Sequence, residues 1–465
     1  MKKRVIFIVV TALLCCLLVA CGSKTRLQAP QNIRQNGPFL IWDEVKNAEG
    51  YIVLADNEEY VTAEPSCNLS FLGGETVYVV KIKAVGDGEN FADSDWSEFG
   101  FNEIFKYTLL ADGSGYEVNL SVSSVELQDR KVVVPSTYEN LPVTRIADKM
   151  FYKCASLTEI VLPNTLKEIG ANAFYNCDAL ESIELPESVT AIGSGAFREC
   201  VALKKIVVSS GVECIAEEMF YECASLTEIV LPNTLKEIGV DAFYNCKALT
   251  SIELPESVTA IGPSAFMHCS SLKKIVVPTG IERIESNMFN DCTSLTEVVL
   301  PSMLKEIRGM AFFGCIALEN IELPASVTAI GSIAFGGCSS LKKIVVPTGV
   351  ERIEGSTFVG CSNLTEVVLP STLKEIMGMA FRKCEALKTV VLPSSLEDIG
   401  KDAFYMCPLE SVFFDGTEAE FLSVSVAEGN DSILSAAVYF YSETEPTENP
   451  QKFWRFSGGK PLPWA

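Results

Sequence analysis

From residue 132 onward, apolar positions recur with a fixed period. Cys falls at 154, 177, 200, 223, 246, 269, 292, 315, 338, 361, 384 and 407, each step being 177 − 154 = 23 residues. Phe stands three places before every one, from Phe151 to Phe404. Leu157, Ile160, Leu162, Leu166 and Ile169 mark offsets that later repeats refill with Leu, Ile or Val, and Pro163 returns in nine further repeats, with Ser209 the lone exception. Within a repeat, "LTEIVLP" alternates like a strand and stops at proline, which cannot donate to a continuing ladder. "TLKEIG" reads as a second short extended piece, and "ANAFYNC" has the length of one helical turn. Six apolar side chains contribute roughly 9–18 kcal/mol at most, against about 1–2 kcal/mol of backbone entropy for each residue of the repeat. A single repeat therefore cannot fold alone, and neighbours must close its core.

Before the array the pattern changes. Residues 27–104 contain "FLIWDEVKNAEGYIVLADNEEYV", "LSFLGGETVYVVKIKAVG" and "SDWSEFGF". These are alternating apolar stretches broken by Gly, Asn and Asp, which predict short antiparallel strands. The stretch resembles a fibronectin type III module: Trp42 matches the tryptophan of its second strand, Tyr78 the tyrosine of its late central strand, and "DSDWS" the approach to its last strand. The resemblance implies a β-sandwich.

The repeated L-x-x-[IV]-x-[LV]-P…[IV]-G…A-F…C signature resembles the leucine-rich repeats of the BspA type, over about 105–420. That family implies a solenoid and a role in surface binding and adhesion. "YEVNLSVSSVELQDRKVVVPSTYENLPVTRIADKMF" looks like its usual N-terminal segment, with extra residues between Pro135 and Phe151. "VYFYSETEPTENPQKFWRFSGGKPLPW" resembles a tail found on such surface proteins of Firmicutes. The fold class expected is mainly β: a fibronectin III-like sandwich followed by a solenoid of 23-residue repeats with short strands and one-turn helices, about thirteen turns and on the order of 60 Å long at the usual strand spacing.

The N-terminus is of another kind. Met1-Lys2-Lys3-Arg4 is basic, Val5 to Ala20 is apolar, and Cys21 follows in "LVACGS". The run is short for a membrane span and suits a signal peptide. Small residues before a Cys resemble the lipobox of bacterial lipoproteins, which implies cleavage before Cys21 and a lipid on its sulfur. The expected organisation is a signal peptide at 1–20, a lipidated tether at 21–26, the sandwich at 27–104, a solenoid cap at 105–153, the repeats at 154–410, and a C-terminal cap and tail at 411–465. The formal charge of the 465-residue chain is −23; cleavage removes three basic residues, giving −23 − 3 = −26. Such acidity argues against nucleic acid and against anionic membrane surfaces as partners. Contact with a membrane is expected through the lipid alone.

The strand pattern points Ile160 and Leu162 inward, so Glu159 and Val161 face outward. One outward column then carries Glu159, Lys205, Glu228, Lys274, Glu297 and Lys343, and the other Val161, Val207, Val230, Val276, Val299 and Val345. These twelve form the candidate binding face, on what should be the concave sheet. Lys205 is expected to have Glu228 beside it and Glu184 diagonally opposite, leaving the sheet's charges largely self-neutralised. The bland alternative is that valine suits strands and exposed ion pairs keep register at little individual worth.

Catalysis finds little support. The one histidine, His268, sits in a turn that most other repeats fill with Asn, Glu or Gly. No G-x-S-x-G elbow or phosphate-binding glycine loop occurs. A cysteine every 23 residues supplies neither C-x-x-C pairs nor mixed ligands, so no metal and no cofactor are expected. The thiols read as small buried side chains with weak S–H donors. "GDGENFADSD" (86–95) lacks EF-hand spacing and reads as a solvated loop. The expectation is a lipid-anchored, non-enzymatic surface protein that recognises a protein or glycan. A spacer or envelope scaffold without a specific ligand, and a binding accessory of a secreted enzyme complex, are the alternatives.

Overall fold

The computed structural model describes residues 24–36, 39–55, 58–68, 79–100, 105–121, 131–457 and 460–464. The signal segment, Cys21 and Tyr78 lie outside the described residues. The chain divides into two compact units, Met1–Phe99 and Gly100–Ala465.

In the first unit, strands Arg34–Asn36, Phe39–Ile41 and Ser66–Asn68 form one antiparallel sheet. Gly50–Ala55 pairs antiparallel with Glu58–Thr62 on one side and Val79–Val85 on the other, and Ser97–Gly100 completes this second sheet. Alternation decides the core: Tyr51, Val53 and Ala55 are buried, as are Val80, Ile82 and Ala84 opposite them. Trp42, just past its strand, is buried and meets Tyr51 edge-on at 5.2 Å. The loop at 86–95 is more than a solvated connection. Asp87 accepts the backbone N–H groups of Glu89, Asn90 and Phe91 at 2.8–2.9 Å, and these bonds draw its carboxyl down to about 2.

The second unit is a β-solenoid of about 14 turns. Each turn contributes to two parallel ladders. The first holds strands such as Glu159–Val161, Lys205–Val207 and Glu228–Val230; the second holds Glu168–Ile169, Ala191–Ile192 and Glu237–Ile238. The ladders begin before the first regular repeat. Val132 pairs with Ile160, an offset of 160 − 132 = 28 residues, and Ile146 with Ile169, an offset of 23. The five surplus residues accommodate Thr137–Tyr138, which folds back on Leu141–Pro142. Neither ladder is continuous. The first breaks between Val161 and Ser182, Val230 and Ser251, Val299 and Asn320, and Val368 and Thr389; the second breaks after Ile192, Ile261 and Ile330. Both sets recur every three turns. They are displaced by one turn, so each of these interfaces keeps one ladder intact.

The third side differs from expectation. "ANAFYNC" forms two consecutive tight turns rather than a helical turn. Asn172 and Asn176 have φ of 53° and 55°, and left-handed residues recur at the same two places along the array. A helix would bond every amide inside itself. Here alternate amides do so: Tyr175 donates to Asn172 and Cys177 to Phe174, whereas Asn172, Phe174 and Asn176 donate to Ser194, Ala196 and Arg198 of the next turn. Half of the turn's hydrogen bonding thus becomes inter-repeat.

Twelve phenylalanines, Phe151 to Phe404, stack through the core with successive ring centroids 5.1–5.8 Å apart and planes within 19°. Beside them the ladder cysteines are buried and free. From Cys177 to Cys407, each thiol donates to the carbonyl of the phenylalanine 26 residues earlier, at 3.0–3.3 Å. At the C-terminus Ser411–Asp415 and Ala437–Tyr441 extend the first ladder, followed by a hairpin of Phe453–Ser457 and Lys460–Pro463. Trp454 is fully buried there, its Nε1 donating to the Phe414 carbonyl at 2.9 Å.

Candidate functional site

The first ladder presents its outward residues as the alternation requires: in Glu159–Val161, Lys205–Val207, Glu228–Val230, Lys274–Val276 and Lys343–Val345 the central residue is buried and its neighbours are exposed. The valine column is open to solvent. Val161, Val207, Val230, Val276, Val299, Val345 and Val368 are 38–47% exposed. No one of these is unusual, but seven aligned along one face make an apolar track, interrupted by a glutamate at every third strand.

The charges pair across adjacent turns. Lys205 meets Glu228 at 2.6 Å, Lys274 meets Glu297 at 2.6 Å, and Lys343 meets Glu366 at 2.5 Å. A flanking column repeats the device with Lys204–Glu181 at 2.7 Å and Lys342–Glu319 at 2.5 Å. The diagonal partner expected for the lysines does not engage. Glu184, Glu253 and Glu322, which stand in the valine column, make no ion pair among the described residues. The reason is geometric: each lysine reaches the glutamate directly across the ladder in its own column. The face is therefore not self-neutralised, and three carboxylates are left over at 69-residue intervals.

Two features lay outside the sequence reading. The C-terminal hairpin stands over the end of the valine track and encloses a cavity of about 550 Å³. Val368, Val391 and Phe413 line it from the ladder, Phe456 and Pro461 from the hairpin, with Asp415 and Lys460 at its polar edge. "KFWRFSGGKPLPW" had the signal for this, an aromatic-rich pair of extended pieces about Gly-Gly, but reads equally as a tail. The second is the outward row of the second ladder. Arg352 pairs with Glu375 at 2.6 Å, and Cys214 occupies, opposite Glu237, the place that Arg283 and Arg352 take three and six turns later. Cys214 is the exposed member of the free cysteines among the described residues. Burial of part of its side chain, and then the Glu237 charge, push its thiol up.

The other candidates are accounted for structurally. His268 adopts φ 62°, lies edge-on to Tyr244 at 5.3 Å and places Nδ1 3.5 Å from Asp291. It extends a surface row in which Tyr152 stacks on Tyr175, Tyr221 stacks on Tyr244, and Arg198 lies 4.1 Å above Tyr221. Burial raises the thiols of Cys246, Cys269, Cys292, Cys315, Cys338 and Cys361, those of Cys269 and Cys361 to about 12, so they are neither nucleophiles nor ready ligands. Among the described residues no group of three or more His, Cys, Asp or Glu is placed to hold a metal ion, and no helix is long and apolar enough to cross a membrane.

Comparison with known proteins bears on the repeats. The profile of the BspA type leucine rich repeat region matches over residues 144–272, 213–338 and 305–424, together more than half of the chain. Among solved structures, a leucine-rich repeat protein from Bacteroides ovatus is 28% identical, with 70% of this chain and 90% of that chain covered, at a TM-score of 0.48. A leucine rich cell surface protein from Faecalibacterium prausnitzii is 25% identical over 71% of this chain and 98% of that chain, at a TM-score of 0.41. The pneumococcal vaccine antigen PcpA is 19% identical over 70% and 96%, at 0.40. No curated protein matches.

Proposed function

The chain belongs to the BspA type leucine-rich repeat family, and from that membership we propose that it is a lipid-anchored protein of the bacterial surface that binds a macromolecular partner through the outward face of its first ladder. The family's repeat fold is a non-enzymatic scaffold that generally serves protein binding, and its relatives include bacterial cell-surface proteins. One observation carries the reading: exposed valines line up along a single ladder between fixed ion pairs, so the face is at once apolar, ordered and open. A scaffold that needs no ligand accounts for valine at these positions only through its strand preference.

The anchor is Cys21, behind its basic and apolar leader, and the first unit is a fibronectin III-like module. Its three- and four-stranded antiparallel sheets and the buried Trp42 support that assignment. The tether from Cys21 to Leu27 is short, roughly 20 Å when extended, and keeps the first unit close to the membrane.

Two experiments test these statements. Cys21→Ala should release the protein from the membrane fraction into the medium; retention in the membrane refutes the lipid anchor. Val207→Lys, Val230→Lys and Val276→Lys combined should abolish binding to the protein or glycan that surface-shaved cells reveal, with far-UV circular dichroism unchanged. Binding that persists refutes the first-ladder face as the site.

A further inference from the structure

The three unpaired carboxylates and the hairpin cavity belong to one series. Glu184, Glu253 and Glu322 are 69 residues apart, three strands, or about 14 Å at the usual ladder spacing. The next position of the same series is Val391, and Val391 lines the cavity under the hairpin. The face therefore has four stations at equal intervals. Three are anionic and flanked by exposed valines, and the fourth is an apolar slot walled by Phe456 and Pro461. The slot's walls are Val391, Phe413, Phe456 and Pro461, and the charges of Asp415 and Lys460 at its edge are of opposite sign, so the fourth station suits an uncharged apolar group.

We propose that this track holds an extended cationic polypeptide, with basic side chains against Glu184, Glu253 and Glu322 and a bulky apolar side chain seated in the slot beneath the C-terminal hairpin. The occupant's chemistry follows from complementarity. The lysines of the face are already committed to Glu228, Glu297 and Glu366, so its uncompensated charge is negative and spaced. An extended chain advances about 3.3–3.6 Å per residue, so stations 14 Å apart correspond to every fourth residue. The partner's pattern is a basic residue at three successive fourth positions, followed or preceded by Phe, Leu or Trp at the next. The valines between stations accept the aliphatic stems of lysine or arginine. This assignment rests on the first-ladder face being the binding surface, and specifies what it recognises.

The test uses the full chain and a fluorescent peptide probe of Gly and Ser, with Lys at positions 1, 5 and 9 and Phe at 13. Its reversed sequence and a scrambled peptide of equal composition are the controls. Either the forward or the reversed peptide should bind at least tenfold more tightly than the scrambled one. Binding should weaken as salt rises, since the contacts are exposed ion pairs. Glu184→Gln, Glu253→Gln and Glu322→Gln combined should reduce affinity by about tenfold or more, from three exposed contacts each worth up to ~1 kcal/mol. Phe456→Ala should remove the preference for Phe at position 13 over Ser. If that variant disturbs the hairpin, Val368→Glu on the opposite wall makes the same test. Equal binding of ordered and scrambled peptides, or indifference to the three Gln substitutions, overturns the proposal. So does a face that ignores both peptides and takes neutral oligosaccharides or a second copy of the chain. Should the combined Val→Lys variant still lose binding to the surface partner in that event, the face remains the site and the cationic assignment alone fails.

Discussion

Phe243 is the residue at which the physical account of the array can be tested most directly. Its ring is fully buried and lies 5.5 Å from Phe220 and 5.3 Å from Phe266, nearly parallel to both. Phe243→Ala removes the whole ring from a site whose walls are held by the ladders above and below, so collapse into the void is limited. Loss of transfer energy and the residual cavity together cost about 3–5 kcal/mol. Part of that is the two ring contacts, about 0.5–1.5 kcal/mol each. Phe151, which among the stacked rings has only Phe174 as neighbour, should therefore cost about one such contact less. Long arrays do not unfold in one step, so the assay is native-state hydrogen exchange rather than a global melt. The amides of Phe220, Phe243 and Phe266 donate to carbonyls of the next turn. Their exchange should quicken by roughly two to three and a half decades, at 1.36 kcal/mol per decade, while the Phe381 amide, six turns away, changes far less. An effect below tenfold, or one of equal size at Phe381, would refute the nearest-neighbour account of the core.

Four further outcomes follow from the structure. Iodoacetamide at pH 8 should modify Cys214 before any ladder thiol, with Cys269 and Cys361 labelled only after denaturation; early labelling of the ladder, read by peptide mass spectrometry, contradicts their burial. Because Glu237 helps to raise the Cys214 thiol, Glu237→Gln should speed its alkylation near neutral pH. Cys214→Arg should form the pair that Arg352 makes with Glu375 and leave exchange of the Gly239 amide, which donates to Ile215, within about fivefold, since exposed pairs contribute little; a large loss of protection would mean that the two places are not equivalent. The Asp87 carboxyl is depressed in the folded state from 3.8 to about 2. The stability it lends its loop is complete above pH 4 and drains away as pH falls through about 2. Exchange protection of the Glu89, Asn90 and Phe91 amides should track that window, and Asp87→Asn should abolish the dependence.

Much of the solenoid was legible because its signal is repetition. The strand at Glu159–Val161, the inward Ile160 and the buried Phe and Cys columns follow from alternation and spacing, and a dozen copies reinforce each inference. The turn at 171–177 was read as helical because its composition permits a helix. The competing factor is non-local: amides of Asn172, Phe174 and Asn176 find carbonyls on the next turn, and no window of one repeat contains that information. The face itself was legible residue by residue, including the lysine pairs. What sequence could not decide was which of two glutamates each lysine would take, since direct and diagonal neighbours both lie within reach of a flexible side chain. That choice is what leaves Glu184, Glu253 and Glu322 uncompensated. The slot was hidden for a simpler reason: Phe456 and Val391 are 65 residues apart in sequence, and only the returning hairpin brings them together.

The staggered breaks in the two ladders bear on how the second unit answers a pulling force. Every interface carries the row of turn hydrogen bonds; one with both ladders intact must lose two strand rows besides, whereas one at Val230–Ser251 or Ile261–Arg283 must lose a single strand row. Weak seams therefore recur in neighbouring pairs, once every three turns. A solenoid tethered at one end and gripped at the other should yield in steps of 69 residues, each releasing on the order of 25 nm of chain, rather than ravelling turn by turn or failing all at once. The three-turn block between seams would then be a unit of mechanical compliance as well as of length, able to absorb a sudden load by surrendering three turns while the stations beyond the seam stay folded.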